Sequence, residues 1–172
     1  MNEKRVLVAY ASKGGSTTGI AEAIGEELRG MGLQADVRAV TEVRDVQPYG
    51  AVVLGSAVYM FRWRPEAVRF GKRHAGELRG RPVWLFSSGP LDRSAEDKDI
   101  PAVKGAARLA ARIGSRGHVT FGGRLAEDAE GFFAQKMVRG GKVEVGDFRN
   151  FDQIRAWAHG IGTEILRAAS AA

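Results

Sequence analysis

The chain has 172 residues, 44% of them hydrophobic, with a formal net charge of +6 and no cysteine. That length supports one domain with a proper core, and the lack of cysteine excludes disulfides, iron–sulfur clusters and thiolate chemistry. No apolar run approaches the roughly 18–20 residues of a membrane span, and strand-like residues from Val6 onward leave no secretory leader pattern, so a cytoplasmic protein is expected.

Residues 5–11 read as an apolar strand. A helix follows from near Thr17, with Ile20, Ile24, Leu28 and Met31 along one face and Gly32 placed to end it. Residues 34–40 alternate like a strand near an edge, while residues 51–55 are continuously apolar, as in a strand buried on both faces. The link between Val40 and Ala51 is too short for a full crossover helix. Pro65 suits the first turn of a second helix, whose apolar repeat takes in Ala67, Phe70, His74 and Leu78. Residues 82–88 form another buried strand, 101–113 an Ala-rich helix and 118–121 a short fifth strand. Ile154, Trp157, Ile161 and Ile165 mark a last helix. The alternation predicts an α/β protein, a parallel sheet with helices on both sides.

Ser12, Lys13, Gly14, Gly15, Ser16 and Thr17 lie between the first strand and the first helix. Backbone N–H groups, hydroxyls and a helix N-terminus converge there, which suits a terminal phosphate; the other reading is a plain strand-to-helix turn. The spacing excludes both the nucleoside-triphosphate loop and the G-x-G-x-x-G dinucleotide fingerprint.

Ligands of open α/β sheets sit outside the carboxyl ends of the strands, which adds two segments. Ala57, Val58, Tyr59, Met60 and Phe61 offer a stacking place for a flat aromatic ligand, or else local packing of a loop. Ser87, Ser88, Gly89 and Pro90 are small enough to let backbone N–H groups face a ligand edge. Arg62 and Trp63 are the candidate contacts for a substrate or partner. Between Phe61 and Arg81 lie seven basic residues against two acidic ones, most of the net excess. They form either a solvated helix face or a patch for an anionic ligand, partner or membrane surface. Nucleic acid is not an expected partner, since no recognition motif accompanies the patch. His74, His118 and His159 are scattered and read as structural or surface residues. No catalytic side chain and no metal site is expected.

Together these loops resemble the flavodoxin-like family. Its phosphate loop reads Ser/Thr-x-Thr-Gly-x-Thr; Ser12, Gly15 and Thr17 fall on matching positions, and Gly14 replaces the middle threonine. The resemblance implies a three-layer sandwich with strand order 2-1-3-4-5. It also implies FMN held noncovalently, with phosphate at residues 12–17 and the ring between residues 57–61 and residues 87–91, Leu91 included. A closer likeness is to the menaquinone-dependent protoporphyrinogen IX dehydrogenase branch, which carries an insertion near its fifth strand, here residues 124–150 within a single domain of residues 1–172. Residues 135–142 look like that branch's basic, Met- and Gly-containing insert. The insert reads either as a flap over substrate or membrane or as a surface excursion. The likeness implies an FMN-dependent oxidoreductase acting on a small, anionic substrate with a quinone or redox partner, with peripheral membrane contact. The alternatives are a non-catalytic electron carrier serving a reductase, and an interaction module that has lost FMN.

Overall fold

The computed structural model describes residues 2–125 and 146–172; residues 135–142, the basic part of the insert, lie outside these. In chain order the elements are β1 (Asn2–Ala11), α1 (Ser16–Gly30), β2 (Gln34–Ala39), a single 3-10 turn (Val40–Glu42), β3 (Tyr49–Tyr59), β4 (Arg62–Trp63), α2 (Pro65–Arg73) and α3 (Ala75–Arg79). Then come β5 (Val83–Ser88), α4 (Ser94–Asp97), α5 (Lys104–Ile113), β6 (Gly117–Phe121), β7 (Arg124–Leu125), β8 (Gly146–Asp147) and α6 (Phe151–Ala171). The parallel sheet runs β2-β1-β3-β5-β6. With β4 set aside as a short antiparallel partner of β3, this is the expected 2-1-3-4-5 order.

Strand periodicity builds the three layers, because successive side chains point to opposite faces. Leu7, Ala9, Val52, Leu54, Val83 and Leu85 face α2, α3 and α5, where Phe70, Leu78, Leu109 and Ile113 pack on them. Val6, Val8, Val53, Trp84 and Phe86 face α1 and α6, where Ile20, Ile24, Leu28, Ile154 and Ile161 close the second core.

The β2–β3 crossover has no helix beyond the 3-10 turn. Val40, Val43 and Val46 are buried on the sheet face in its place. Arg81 holds the link by donating from Nη1 to the carbonyls of Val46 (2.6 Å) and Tyr49 (2.8 Å). The expected second helix is two, broken at His74, whose imidazole is buried 4.7 Å from the Phe70 ring. Gly71 and Gly76 flank the break and weaken helix propensity on both sides. The Ala-rich helix begins at Lys104 rather than at 101, since Val103 is extended and serves as its N-cap.

Candidate functional site

The three segments meet at the carboxyl edge of the sheet. In the first, Ser12 Oγ accepts from the Gly15 N–H at 3.0 Å, and Gly15 takes φ +82°, which only glycine adopts readily. A Cβ at Gly14 or Gly15 would meet no atom within 4 Å, so the turn opens outward. Thr17 is fully buried in the first turn of α1, and its Oγ1 has no hydrogen-bond partner among the described residues. No acidic side chain occupies that turn. An open glycine turn, an unmatched hydroxyl and a helix N-terminus are the donor set a phosphate needs.

The second segment is not the loop expected. Ala57, Val58 and Tyr59 continue β3, and the chain reverses at Met60 and Phe61 into β4, pairing Tyr59 with Arg62 and Val58 with Trp63. Both turn residues have positive φ, 49° and 61°. This is the two-residue hairpin geometry normally given to Asn-Gly. Met60 and Phe61 are also 62% and 88% exposed, the large apolar side chains most open to solvent among the described residues. Lys13 Nζ lies 4.4 Å from the Tyr59 ring centroid and links this hairpin to the first loop.

Trp63 does not face a substrate. It is 3% exposed, in the core, and its Nε1 donates to Ser87 Oγ at 2.8 Å. Burial of so large an apolar ring under α2 outweighs any surface role. The Ser87 hydroxyl faces inward too, hydrogen-bonded to His118 Nε2 at 2.8 Å. Burial holds His118 below the ordinary histidine range, partly opposed by Asp99. Of the third segment, Ser88 is also buried, whereas Gly89, Pro90 and Leu91 reach the half-exposed edge. Gly89 is tied down by its N–H to the Phe121 carbonyl (3.1 Å) and packs against Val58, so the second and third segments touch.

Of the basic cluster, Arg64 pairs with Glu66 at 2.8 Å, and Arg79 and Arg81 bond backbone carbonyls. Arg62, Arg69, Lys72 and Arg73 remain exposed. Arg149 and Arg124 escaped the sequence reading: both touch Ser16, across 133 and 108 residues of chain. Their only local signal is Asp147 two residues before Arg149. A shallow recess lined by Thr163, Leu166 and Ser170 sits on the last turns of α6, at the helix end opposite these loops.

A doubly covered parallel sheet with an anion-ready first loop defines a mononucleotide-binding protein of the flavodoxin type. A model of the flavodoxin domain matches residues 7–148, and the chain belongs to that family. FMN is its cofactor, and the residues of the first loop fit the phosphate. Among curated proteins, Protoporphyrinogen IX dehydrogenase (quinone) of Escherichia coli strain K12 is 29% identical over 96 residues, 55% of this chain and 53% of that protein. The chain thus spans about half the length of the curated relatives it matches. Among solved structures, rubredoxin oxygen:oxidoreductase of Desulfovibrio gigas superposes with a TM-score of 0.66 at 15% identity, over 98% of this chain and 37% of that one. A flavodoxin from the domain Archaea gives 0.63 at 14% identity, over 94% and 98%. Flavodoxin 2 of Bacillus cereus gives 0.57 at 18% identity, over 95% and 99%. At those identities the structural likeness concerns the fold. No helix among the described residues is long and apolar enough to cross a membrane.

Proposed function

We propose that this chain is a cytoplasmic FMN-dependent dehydrogenase that oxidises an anionic porphyrinogen and passes the electrons to a quinone at a membrane surface. Residues 1–172 act as one domain, with residues 124–150 as its insertion. The observation that carries the reading is the exposed basic face of α2 and α5, which suits an anionic lipid surface and not the basic reductase faces that acidic carriers dock on. The partial likeness to the quinone-linked dehydrogenase supports the same reading.

Bound FMN supplies the two-electron chemistry; the protein holds and shields it. Ser12, Lys13, Gly14, Gly15, Ser16 and Thr17 surround the phosphate. Val58, Tyr59, Met60 and Phe61 would hold the ring from one side, and Ser88, Gly89, Pro90 and Leu91 from the other. Ala57 and Ser87 act from behind as backbone and hydrogen-bonded support. Arg62, exposed beside the apolar hairpin tip, meets a substrate carboxylate. In each turnover the porphyrinogen loses an electron pair and two protons, and the quinone gains them as quinol.

The test is an absorbance spectrum after FMN loading and removal of the excess, then anaerobic mixing of the loaded protein with protoporphyrinogen and a quinone. Retained flavin bands with growth of porphyrin fluorescence are expected. Retained flavin without porphyrin formation, together with rapid reduction by a flavodoxin reductase in separate one-electron steps, would replace the reading with an electron carrier. Loss of flavin would leave an interaction module.

A further inference from the structure

Arg149 is gripped from three sides. Its Nε and Nη2 donate to Asp147 Oδ1 and Oδ2 at 2.9 and 2.8 Å, and its Nη1 donates to the Ser16 carbonyl at 3.3 Å. The guanidinium also lies 5.0 Å from the Phe151 ring centroid. Only 10% of the side chain is exposed. A Cβ at position 19 would stand 2.5 Å from Nη1, so Gly19 leaves the slot that the guanidinium fills. The chain on the other side of the insertion makes a matching contact, the Arg124 N–H donating to Ser16 Oγ at 3.1 Å. β7 and β8 then pair Arg124 with Asp147. Both feet of the insertion therefore rest on Ser16.

The Ser16 carbonyl and the Thr17 N–H belong to one planar peptide unit. A donor that holds that carbonyl sets the direction of that N–H. We propose that Arg149 is a positioning residue for the cofactor phosphate: through the Ser16 carbonyl it orients the Thr17 N–H, and it thereby couples the β7–β8 ladder to phosphate binding. This rests on the reading that residues 12–17 hold the FMN phosphate. Asp147 largely balances the guanidinium charge, so what Arg149 contributes is geometry. A lysine has the charge without the planar fork that serves Asp147 and Ser16 together. The coupling is reciprocal, so phosphate occupancy stabilises the ladder by the same factor as the ladder strengthens phosphate binding.

FMN and riboflavin, which differ only by the phosphate, are titrated into the full chain by flavin fluorescence quenching. Arg149→Lys should weaken FMN binding about tenfold and leave riboflavin affinity unchanged. Gly19→Ala, which crowds the slot while keeping every charge, should do the same, and it reports even where Arg149→Lys fails to fold. The two together should be no worse than Arg149→Lys alone, since both remove one contact. An FMN-to-riboflavin ratio lowered by Thr17→Val but untouched by Arg149→Lys and Gly19→Ala would overturn the proposal alone. A ratio untouched by Thr17→Val as well would place the phosphate elsewhere and overturn the reading with it.

Discussion

A buried hydroxyl without a partner costs about 1–3 kcal/mol, and Thr17 carries one in the first turn of α1. An incoming phosphate oxygen is the acceptor that relieves it. Thr17→Val keeps the shape and removes the hydroxyl, so FMN affinity should fall by about 1–3 kcal/mol while the melting temperature of the flavin-free protein holds or rises. Kd and Tm measured on the same preparation check both halves. His74 is the opposite case, a buried polar group with no ligand in reach. Burial lowers its pKa below the ordinary histidine value of 6.5; Arg73 adds to that, while Glu77 and Asp45 oppose it. Its Nε2 has no partner among the described residues. Since the folded protein binds this proton less readily than the unfolded chain, the contribution to stability is complete above pH 6.5. It is lost as pH falls from there through the folded pKa. His118 is lowered in the same direction by burial. Acidification from about pH 7.5 to about pH 5.5 should therefore lower Tm. His74→Leu should shrink that drop without abolishing it, because His118 still titrates.

The β3–β4 hairpin shows a cost at the scale of an element. Left-handed backbone at a non-glycine residue costs about 1–2 kcal/mol, and Met60 and Phe61 both adopt it with their side chains in water. Strain combined with exposed apolar surface points to a ligand that covers them. Replacing the pair with Met60→Asn and Phe61→Gly should raise stability by about 1–2 kcal/mol and weaken flavin binding; a thermal melt and a flavin titration read the two signs. Met-Phe carries no turn signature, which is why the hairpin was invisible in the sequence and β3, read as residues 51–55, runs on to Tyr59. The helix-free β2–β3 link was legible from its length, yet the valine packing and Arg81 contacts that replace the helix were not, because they join positions 32 and more residues apart. The open glycine turn before α1 was readable because its residues are consecutive in the chain. Trp63 and Ser87 were misjudged because loop sequence does not reveal which way a side chain points, and Arg149 was missed because its target lies across the insertion.

Over the whole molecule, charge is segregated between the two helical layers. Arg69, Lys72, Arg73, Arg79, Lys104, Arg108 and Arg112 are exposed on α2, α3 and α5, against the half-buried Glu66 and Glu77. On the opposite layer, Glu22, Glu26, Asp152 and Glu164 offset Arg29, Arg155 and Arg167. Such a dipolar arrangement orients a protein at an anionic surface with one layer inward, and each basic residue near the lipid contributes about 1 kcal/mol. Vesicles containing anionic phospholipid should therefore sediment the full chain, whereas purely zwitterionic vesicles should not. Because the Debye length shrinks from about 10 Å at 0.1 M salt to about 3 Å at 1 M, high salt should release it. Reversing Arg69, Lys72 and Arg73 to glutamate should cut the partition at least about tenfold, with flavin affinity unchanged because none of the three lies at the carboxyl edge of the sheet. Binding that survives both salt and charge reversal would show that the basic layer is not the membrane contact. An absence of binding to anionic vesicles would assign the basic layer to a dissolved anionic partner instead.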